Sequence, residues 1–138
     1  MRRYLIQISV AAGLSGCNGL SLDTYWRSDD YELIAVDVKG QMDLSVDLGN
    51  GGAIALVGPT VFSLGANGQY IVAKQHPATD HFGAFDRSVI NYYVVTRLPG
   101  SALDKEKGVR GPMTKEEFER LSASANFPPF TKTFADLQ

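Results

Sequence analysis

The clearest alternation of hydrophobic and polar positions lies at 60–75, where it predicts a β-hairpin. We place the turn at Asn67-Gly68, a dipeptide that accepts the two positive φ angles of a type I′ turn. In that register Leu64 lies opposite Ile71 and one face of the hairpin is apolar throughout. A slip by one residue would mix the two faces. We therefore expect this hairpin at the centre of an antiparallel sheet, with Leu64 and Ile71 as buried neighbours.

Further strands are predicted on both sides of the hairpin. Strict alternation at 41–48 predicts a strand with one buried face that includes Met42 and Leu44. The preceding segment has Ile34 and Val36 on one face, and a three-residue turn at 38–40 would set Ile34 against Leu44. The predicted strands are 31–38, 41–48, 53–57, 60–66, 69–75, 88–97 and, at an edge, 131–135. The predicted loops are 78–87 and 98–112.

The sequence also predicts one helix, which begins after Thr114. Thr114 at the N-cap and Glu117 three residues later form a capping box, and Met113 and Phe118 are placed for a hydrophobic staple. The narrow apolar stripe of the helix can rest on a sheet, and Asn126 is its predicted end. These elements predict a single α+β domain at 29–138, an antiparallel sheet of five or six strands with one C-terminal helix packed on it.

The first residues have the composition of a targeting segment. Arg2 and Arg3 precede a mostly apolar stretch at 4–13, which is too short for a spanning helix of about 20 apolar residues. Leu14-Ser15-Gly16-Cys17 follows, and these four residues resemble the lipobox of bacterial lipoprotein precursors. A poorly ordered N-terminal helix with a chance cysteine is the alternative.

The resemblance implies a signal peptide at 1–16, a diacylglyceryl group on Cys17 and a tether at 17–28. It also implies further acylation, with chains such as palmitate, at the new amine. More than one chain is needed because a single acyl chain holds a protein on a bilayer only marginally. Asn18, rather than Asp, after the cysteine favours the outer membrane, with the protein facing the periplasm. Tyr25 and Trp26 in the tether would either pack on the domain or rest at the headgroups.

Charge and cysteine content narrow the class of partner. The chain has 13 basic and 15 acidic residues, and loss of 1–16 removes Arg2 and Arg3, which leaves a net charge of −4. An acidic protein of this kind lacks the basic surface that nucleic acid requires, so nucleic acid is excluded as a partner. Cys17 is the one cysteine, so after lipidation we expect neither a disulfide nor a cysteine nucleophile.

Two groups of side chains are candidates for metal binding. His76, Asp80 and His81 fall in one loop and are potential zinc ligands, but their spacing matches no zinc signature, which favours an ordinary polar loop. Asp37, Asp43 and Asp47 are predicted to share the polar face of the first hairpin. Because alternate residues of a strand lie about 7 Å apart, we expect a solvated acidic face rather than a calcium site.

No catalytic motif is present in the sequence, so we expect no catalytic residues and no cofactor. Several aromatic residues could line a binding surface, although packing within the domain is favoured: Tyr70, Tyr92, Tyr93, Phe127 and Phe130. The leading hypothesis is a membrane-anchored envelope lipoprotein that acts as a binding or structural module with an envelope protein partner. The alternatives are an inhibitor or immunity-type lipoprotein that blocks an enzyme, and an envelope hydrolase.

Overall fold

The computed structural model describes residues 22–138, which form two antiparallel β-sheets and two helices. The four-stranded sheet has the order β1-β2-β3-β4 and the five-stranded sheet has the order β8-β7-β6-β5-β9. The strands are β1 Leu22–Ser28, β2 Tyr31–Val36, β3 Asp43–Asp47, β4 Ala53–Val57, β5 Val61–Ala66, β6 Tyr70–Gln75, β7 Asn91–Thr96, β8 Val109–Met113 and β9 Lys132–Thr133. The helices are α1 Ala102–Glu106 and α2 Lys115–Ser122, and a single 3₁₀ turn covers Lys39–Gln41.

The two sheets pack face to face around the main hydrophobic core. The four-stranded sheet contributes Leu33 and Leu44, and the five-stranded sheet contributes Phe62, Leu64 and Ile71, all of them almost completely buried. Burial of each such side chain contributes about 1.5–3 kcal/mol. This sandwich is therefore the main source of stability.

A second, smaller cluster covers the outer face of the five-stranded sheet. Phe118 of α2 packs there with Tyr92, Phe127 and Phe130. The C-terminal segment can pass close to β5 because residue 65 is glycine: a Cβ atom at Gly65 would lie 1.8 Å from the carbonyl oxygen of Pro129. The described residues thus form three layers, and none of them packs as a further layer on the outer face of the four-stranded sheet.

The predicted fold class, α+β with one sheet of five or six strands, is wrong. The described residues contain nine strands in two sheets, and only α2 is a helix longer than five residues. The chain passes from one sheet to the other at Gly58-Pro59, between β4 and β5. We expected a break there but continued the same sheet beyond it, since alternation within strands does not reveal which sheet a strand joins.

The central hairpin is confirmed, and β6 is the middle strand of its sheet. Its turn differs from the prediction: Leu64 pairs with Ala73, and Ile71 pairs with Ala66. Asn67 does not adopt positive φ. Its side-chain oxygen instead accepts hydrogen bonds from the backbone amides of Gln69 and Tyr70. The shift of two residues preserves the faces, so Leu64 and Ile71 are still both buried.

The predicted pairing of β2 with β3 is wrong by one residue. Leu33, not Ile34, pairs with Leu44, and Ile34 pairs with Asp43. The connection is longer than a three-residue turn because Asp37 adopts positive φ and a 3₁₀ turn follows. Leu33 therefore points into the core, and Ile34 lies on the outer face.

The segment 98–112 is not the exposed loop that we predicted. It contains α1, capped by Ser101 and Asp104 in a capping box, and then β8, which pairs with β7. Helix α2 is confirmed with the predicted capping box of Thr114 and Glu117, but it ends at Ser122, before Asn126.

The polar segment that we assigned to the tether is also structured from residue 22 onward. Residues 22–28 form β1, which pairs with β2, and Tyr25 and Trp26 pack against the main core. The predicted signal peptide at 1–16 and Cys17 lie outside the described residues. Within 22–138, neither helix has the length and hydrophobicity required to cross a bilayer.

Candidate functional site

The outer face of the four-stranded sheet forms an open groove of about 420 Å³. Strand pairing arranges its lining in successive rows. Leu22 and Val36 form the first row, and Thr24, Ile34 and Asp43 form the second. The remaining lining residues are Arg27, Glu32, Ser45 and Ala55 in the third row, followed by Asp47, Ala53 and the glycines 49, 51 and 52. The groove therefore changes from apolar at one end to charged at the other. Its wall on the β4 side is low because the lining side chains there are alanines.

A β-bulge places Arg27, the one Lys or Arg among the described residues that line the groove. The pairing of β1 with β2 shifts between Thr24 and Trp26, so the side-chain alternation changes at Tyr25. Trp26 consequently packs against the core, while the next residue, Arg27, lines the groove. The bulge thus allows β1 to present both a core aromatic residue and a groove cation in adjacent positions.

Arg27 joins two carboxylates on neighbouring strands. Its guanidinium donates to Glu32 Oε2 at 2.5 Å and to Asp47 Oδ2 at 2.9 Å. The Glu32 side chain is 5% exposed, so Arg27 compensates a carboxylate that is almost removed from water. The amide of Gly49 and the Arg27 guanidinium hold the pKa of Asp47 below its usual value. These three groups form a fixed polar cluster at the charged end.

Asp43 lies in a different environment within the same groove. Its carboxylate accepts a hydrogen bond from Ser45 Oγ at 2.5 Å, and within residues 22–138 it forms no ion pair with Lys or Arg. Burial raises the pKa of Asp43, the charge of Glu32 adds to this effect, and the Ser45 hydrogen bond opposes it. Asp43 is therefore the carboxylate of the groove that is best placed to accept a new hydrogen bond or a cation from a ligand.

The predicted metal candidates do not converge. His76 is 2% exposed and is stacked between Phe62 and Phe85, with Nδ1 2.8 Å from the carbonyl oxygen of Val89. His81 is exposed, and the Asp80 carboxylate accepts hydrogen bonds from backbone amides of its own turn. No group of three His, Cys, Asp or Glu side chains within 22–138 is arranged to hold a metal ion.

The other predicted candidates divide between the core and the groove. Tyr92, Phe127 and Phe130 pack beneath α2, as the packing interpretation expected. Asp43 and Asp47 do line one polar face, but Asp37 lies in the connection after β2, outside the groove lining. Sequence reasoning missed Arg27 and Glu32. The available signal was Glu32, a charged residue inside the apolar run of β2.

A family model described as a protein of unknown function, DUF3997, matches residues 28–132. The chain belongs to this family. The matched residues include β2 to β4, and so three of the four strands that form the groove. No curated protein and no solved structure matches the chain.

Proposed function

We propose that this protein is a lipid-anchored lipoprotein of the bacterial envelope that binds a ligand in the groove of its four-stranded sheet. The lipobox at Leu14-Ser15-Gly16-Cys17 supports the anchor, and Asn18 supports the outer membrane as its location, facing the periplasm. The groove supports the binding role because it is concave, within the size range of ligand sites, and combines apolar walls with a few fixed polar groups.

The convergence of Arg27, Glu32 and Asp43 in one groove on the outer face of the four-stranded sheet is the observation that carries this proposal. Charged side chains rarely gather in a half-buried position without a structural or binding role. The ion pair with Arg27 gives Glu32 a structural role. The Asp43 carboxylate, beside the apolar Ile34, can still accept further hydrogen bonds. The ligand class that fits is therefore one with an amine or hydroxyl donor next to an apolar portion, such as a segment of an envelope protein partner.

The test is to fill the groove without disturbing the core. Ala55 is exposed on β4 and lines the groove, so Ala55→Trp would occupy it. Glu106→Trp, at the exposed end of α1 and outside the groove, is the matched control. Both variants, tethered in membranes, are compared with the unaltered protein by cross-linking, pull-down and mass spectrometry. We expect Ala55→Trp alone to lose a captured molecule, and equal capture by both variants would refute the groove as the site.

One observation favours the inhibitor alternative. The loop 78–87 is closed by a bridge between Ala78 and Phe85, and it presents Phe82 with 84% of its surface exposed. A preorganised loop with an exposed aromatic residue is suited to an enzyme cleft. Loss of enzyme inhibition in Phe82→Ala, with retention in Ala55→Trp, would support this alternative over the groove.

The hydrolase alternative depends on a pair of carboxylates with different environments. Glu32 pairs with Ser45 and Asp43 pairs with Ile34, so Glu32 and Asp43 are diagonal neighbours on adjacent strands, and their Cα atoms are about 7–8 Å apart. Glu32, however, is buried and bound by Arg27, which leaves it poorly placed to contact a substrate. We therefore favour binding over hydrolysis.

A further inference from the structure

One end of the sandwich is built from the segments nearest to residue 22. Leu22 pairs with Val36, and the connection that follows Val36 is hydrogen-bonded to the start of β5 through Met42 and Val61. The loop 76–90 leaves and re-enters the five-stranded sheet at this same end, because Gln75 pairs with Asn91. We call residues 22, 36–42, 58–60 and 76–90 the proximal end.

Exposed hydrophobic side chains are concentrated at the proximal end. Within residues 22–138, seven large hydrophobic side chains are exposed. Leu48 and Leu103 lie at the other end, and the remaining five lie at the proximal end: Leu22, Val38, Phe82, Val89 and Ile90. Scattered exposed hydrophobic residues need no explanation, but a concentration at one end indicates an interaction surface.

The loop that carries Phe82 is held in place by several contacts. Asp80 Oδ1 accepts hydrogen bonds from the amides of Phe82 and Ala84, at 2.8 and 3.0 Å. Gly83, which follows Phe82, has a φ of 100° and lies so close to Val38 that there is no room for a Cβ atom. Gln41 also donates to the carbonyl oxygen of His81. Phe82 is therefore exposed on a fixed turn.

We propose that the proximal end inserts its exposed hydrophobic side chains into the interface of the lipid bilayer. This inference rests on the proposed lipid anchor at Cys17. Four residues lie between Cys17 and Leu22, and the five residue-to-residue steps of an extended chain span at most about 17 Å. The anchor would therefore hold the proximal end, and no other end of the domain, against the membrane.

The charges of the proximal end predict an apolar rather than an electrostatic contact. The proximal end has two Lys or Arg side chains: Lys39 is paired with Asp136 at 2.7 Å, and Arg87 donates to the backbone carbonyl oxygens of Asp136 and Gln138. Its three carboxylates, Asp37, Asp80 and Asp86, outnumber these two cations. There is thus no excess of positive charge for anionic lipids to attract. Apolar side chains such as Phe82 enter the headgroup region through the area that they bury, so the contact should withstand high salt.

A nitroxide label beside Phe82 tests the insertion directly. His81→Cys keeps Phe82 in place, because the turn uses only the backbone of His81. When Cys17 is acylated, the introduced cysteine is the one reactive thiol, since the chain has a single native cysteine. The full lipidated protein is reconstituted into phosphatidylethanolamine–phosphatidylglycerol vesicles. Accessibility of the label to oxygen and to a water-soluble nickel chelate is then measured at low and high salt.

Two matched samples serve as controls. Glu106→Cys carries the same label at the opposite end of the sandwich, and His81→Cys/Phe82→Ser removes the inserting ring. We expect the label at 81 to be severalfold less accessible to the nickel chelate than the label at 106, at both salt concentrations. With Phe82→Ser, the label at 81 should become as accessible to the nickel chelate as the label at 106.

The outcomes separate this inference from the anchor itself. The intact mass is measured first: an unmodified Cys17 would overturn the anchor and this inference together. A lipidated protein whose label at 81 is as accessible to the chelate as the label at 106 would overturn the inference alone. A label that is exposed in these vesicles but immobilised in native membranes would overturn it in favour of a protein partner.

Discussion

The outer layer formed by α2 can be tested with Phe118→Ala. Phe118 is 8% exposed, and its ring centroid lies 5.1 Å from Tyr92, 5.5 Å from Phe127 and 5.6 Å from Phe130. Removal of a buried Phe side chain typically costs about 3–5 kcal/mol. Because α2 lies at the surface and its neighbours can partly close the cavity, we expect about 3 kcal/mol. With a urea m-value of about 1.5 kcal/mol/M, the unfolding midpoint should fall by about 2 M.

The single tryptophan makes the assay sensitive to the rest of the molecule. Trp26 lies on β1 in the four-stranded sheet, far from α2, so its fluorescence reports whether the sandwich unfolds together with the outer layer. Arg120→Ala, an exposed position on the same helix, is the control and should change stability by no more than about 0.5 kcal/mol. An unchanged fluorescence midpoint in Phe118→Ala would refute a structural role for α2 and favour a role in partner binding.

Three further changes address the cap, the core and the groove. Thr114→Ala removes the side chain that accepts from the Glu117 amide and should lower the free energy of unfolding by about 0.5–2 kcal/mol in urea titrations, whereas Thr114→Ser should not. Ile71→Ala should cost about 2–5 kcal/mol in the same titrations, since Ile71 is completely buried; a cost below 1 kcal/mol would contradict this packing. Burial raises the pKa of Asp43, so the folded protein binds this proton more tightly than the unfolded chain does. The unaltered protein therefore loses stability as the pH rises from the ordinary carboxyl pKa through the raised value. Asp43→Asn has no such loss, so its free energy of unfolding, relative to that of the unaltered protein, should be higher at pH 7 than at pH 4. If the two proteins differ in free energy of unfolding by the same amount at both pH values, the raised pKa of Asp43 is contradicted.

Local signals in the sequence were reliable where several of them agreed. At α2 the N-cap, the residue three positions later and the flanking hydrophobic pair all indicated the same start, and the structure has that start. At the central hairpin the apolar faces were assigned correctly although the turn was not. The reason is that Asn67 closes the turn with its side chain rather than by positive φ, and a shift of two residues leaves each side chain on its original face.

The pairing of strands between distant segments was much less predictable. In β2 both faces are buried, so hydrophobicity alone did not distinguish Leu33 from Ile34 as the core residue. The number of sheets depends on which strands meet after Gly58-Pro59, and local patterns do not carry that information. Similarly, 98–112 has the composition of a loop, but Ser101 and Asp104 cap a short helix and the following residues pair with β7.

The groove could not be predicted for the same reason. Asp43 and Asp47 were recognised as members of one polar face, but the cation that accompanies them comes from β1, in a segment assigned to the tether. A bulge of one residue at Tyr25 decides that Arg27, rather than Trp26, lines the groove. Such irregularities are set by packing across the sheet and leave no reliable signal in the residues themselves.

The anchor on Cys17 is the central claim of this account, and the intact mass of the protein purified from bacterial membranes tests it most directly. We predict a chain that begins at Cys17 and carries a diacylglyceryl group on its sulfur. Cys17→Ser should accumulate as an unprocessed, unlabelled precursor. A chain that retains residues 1–16 and has an unmodified thiol at Cys17 would contradict the account.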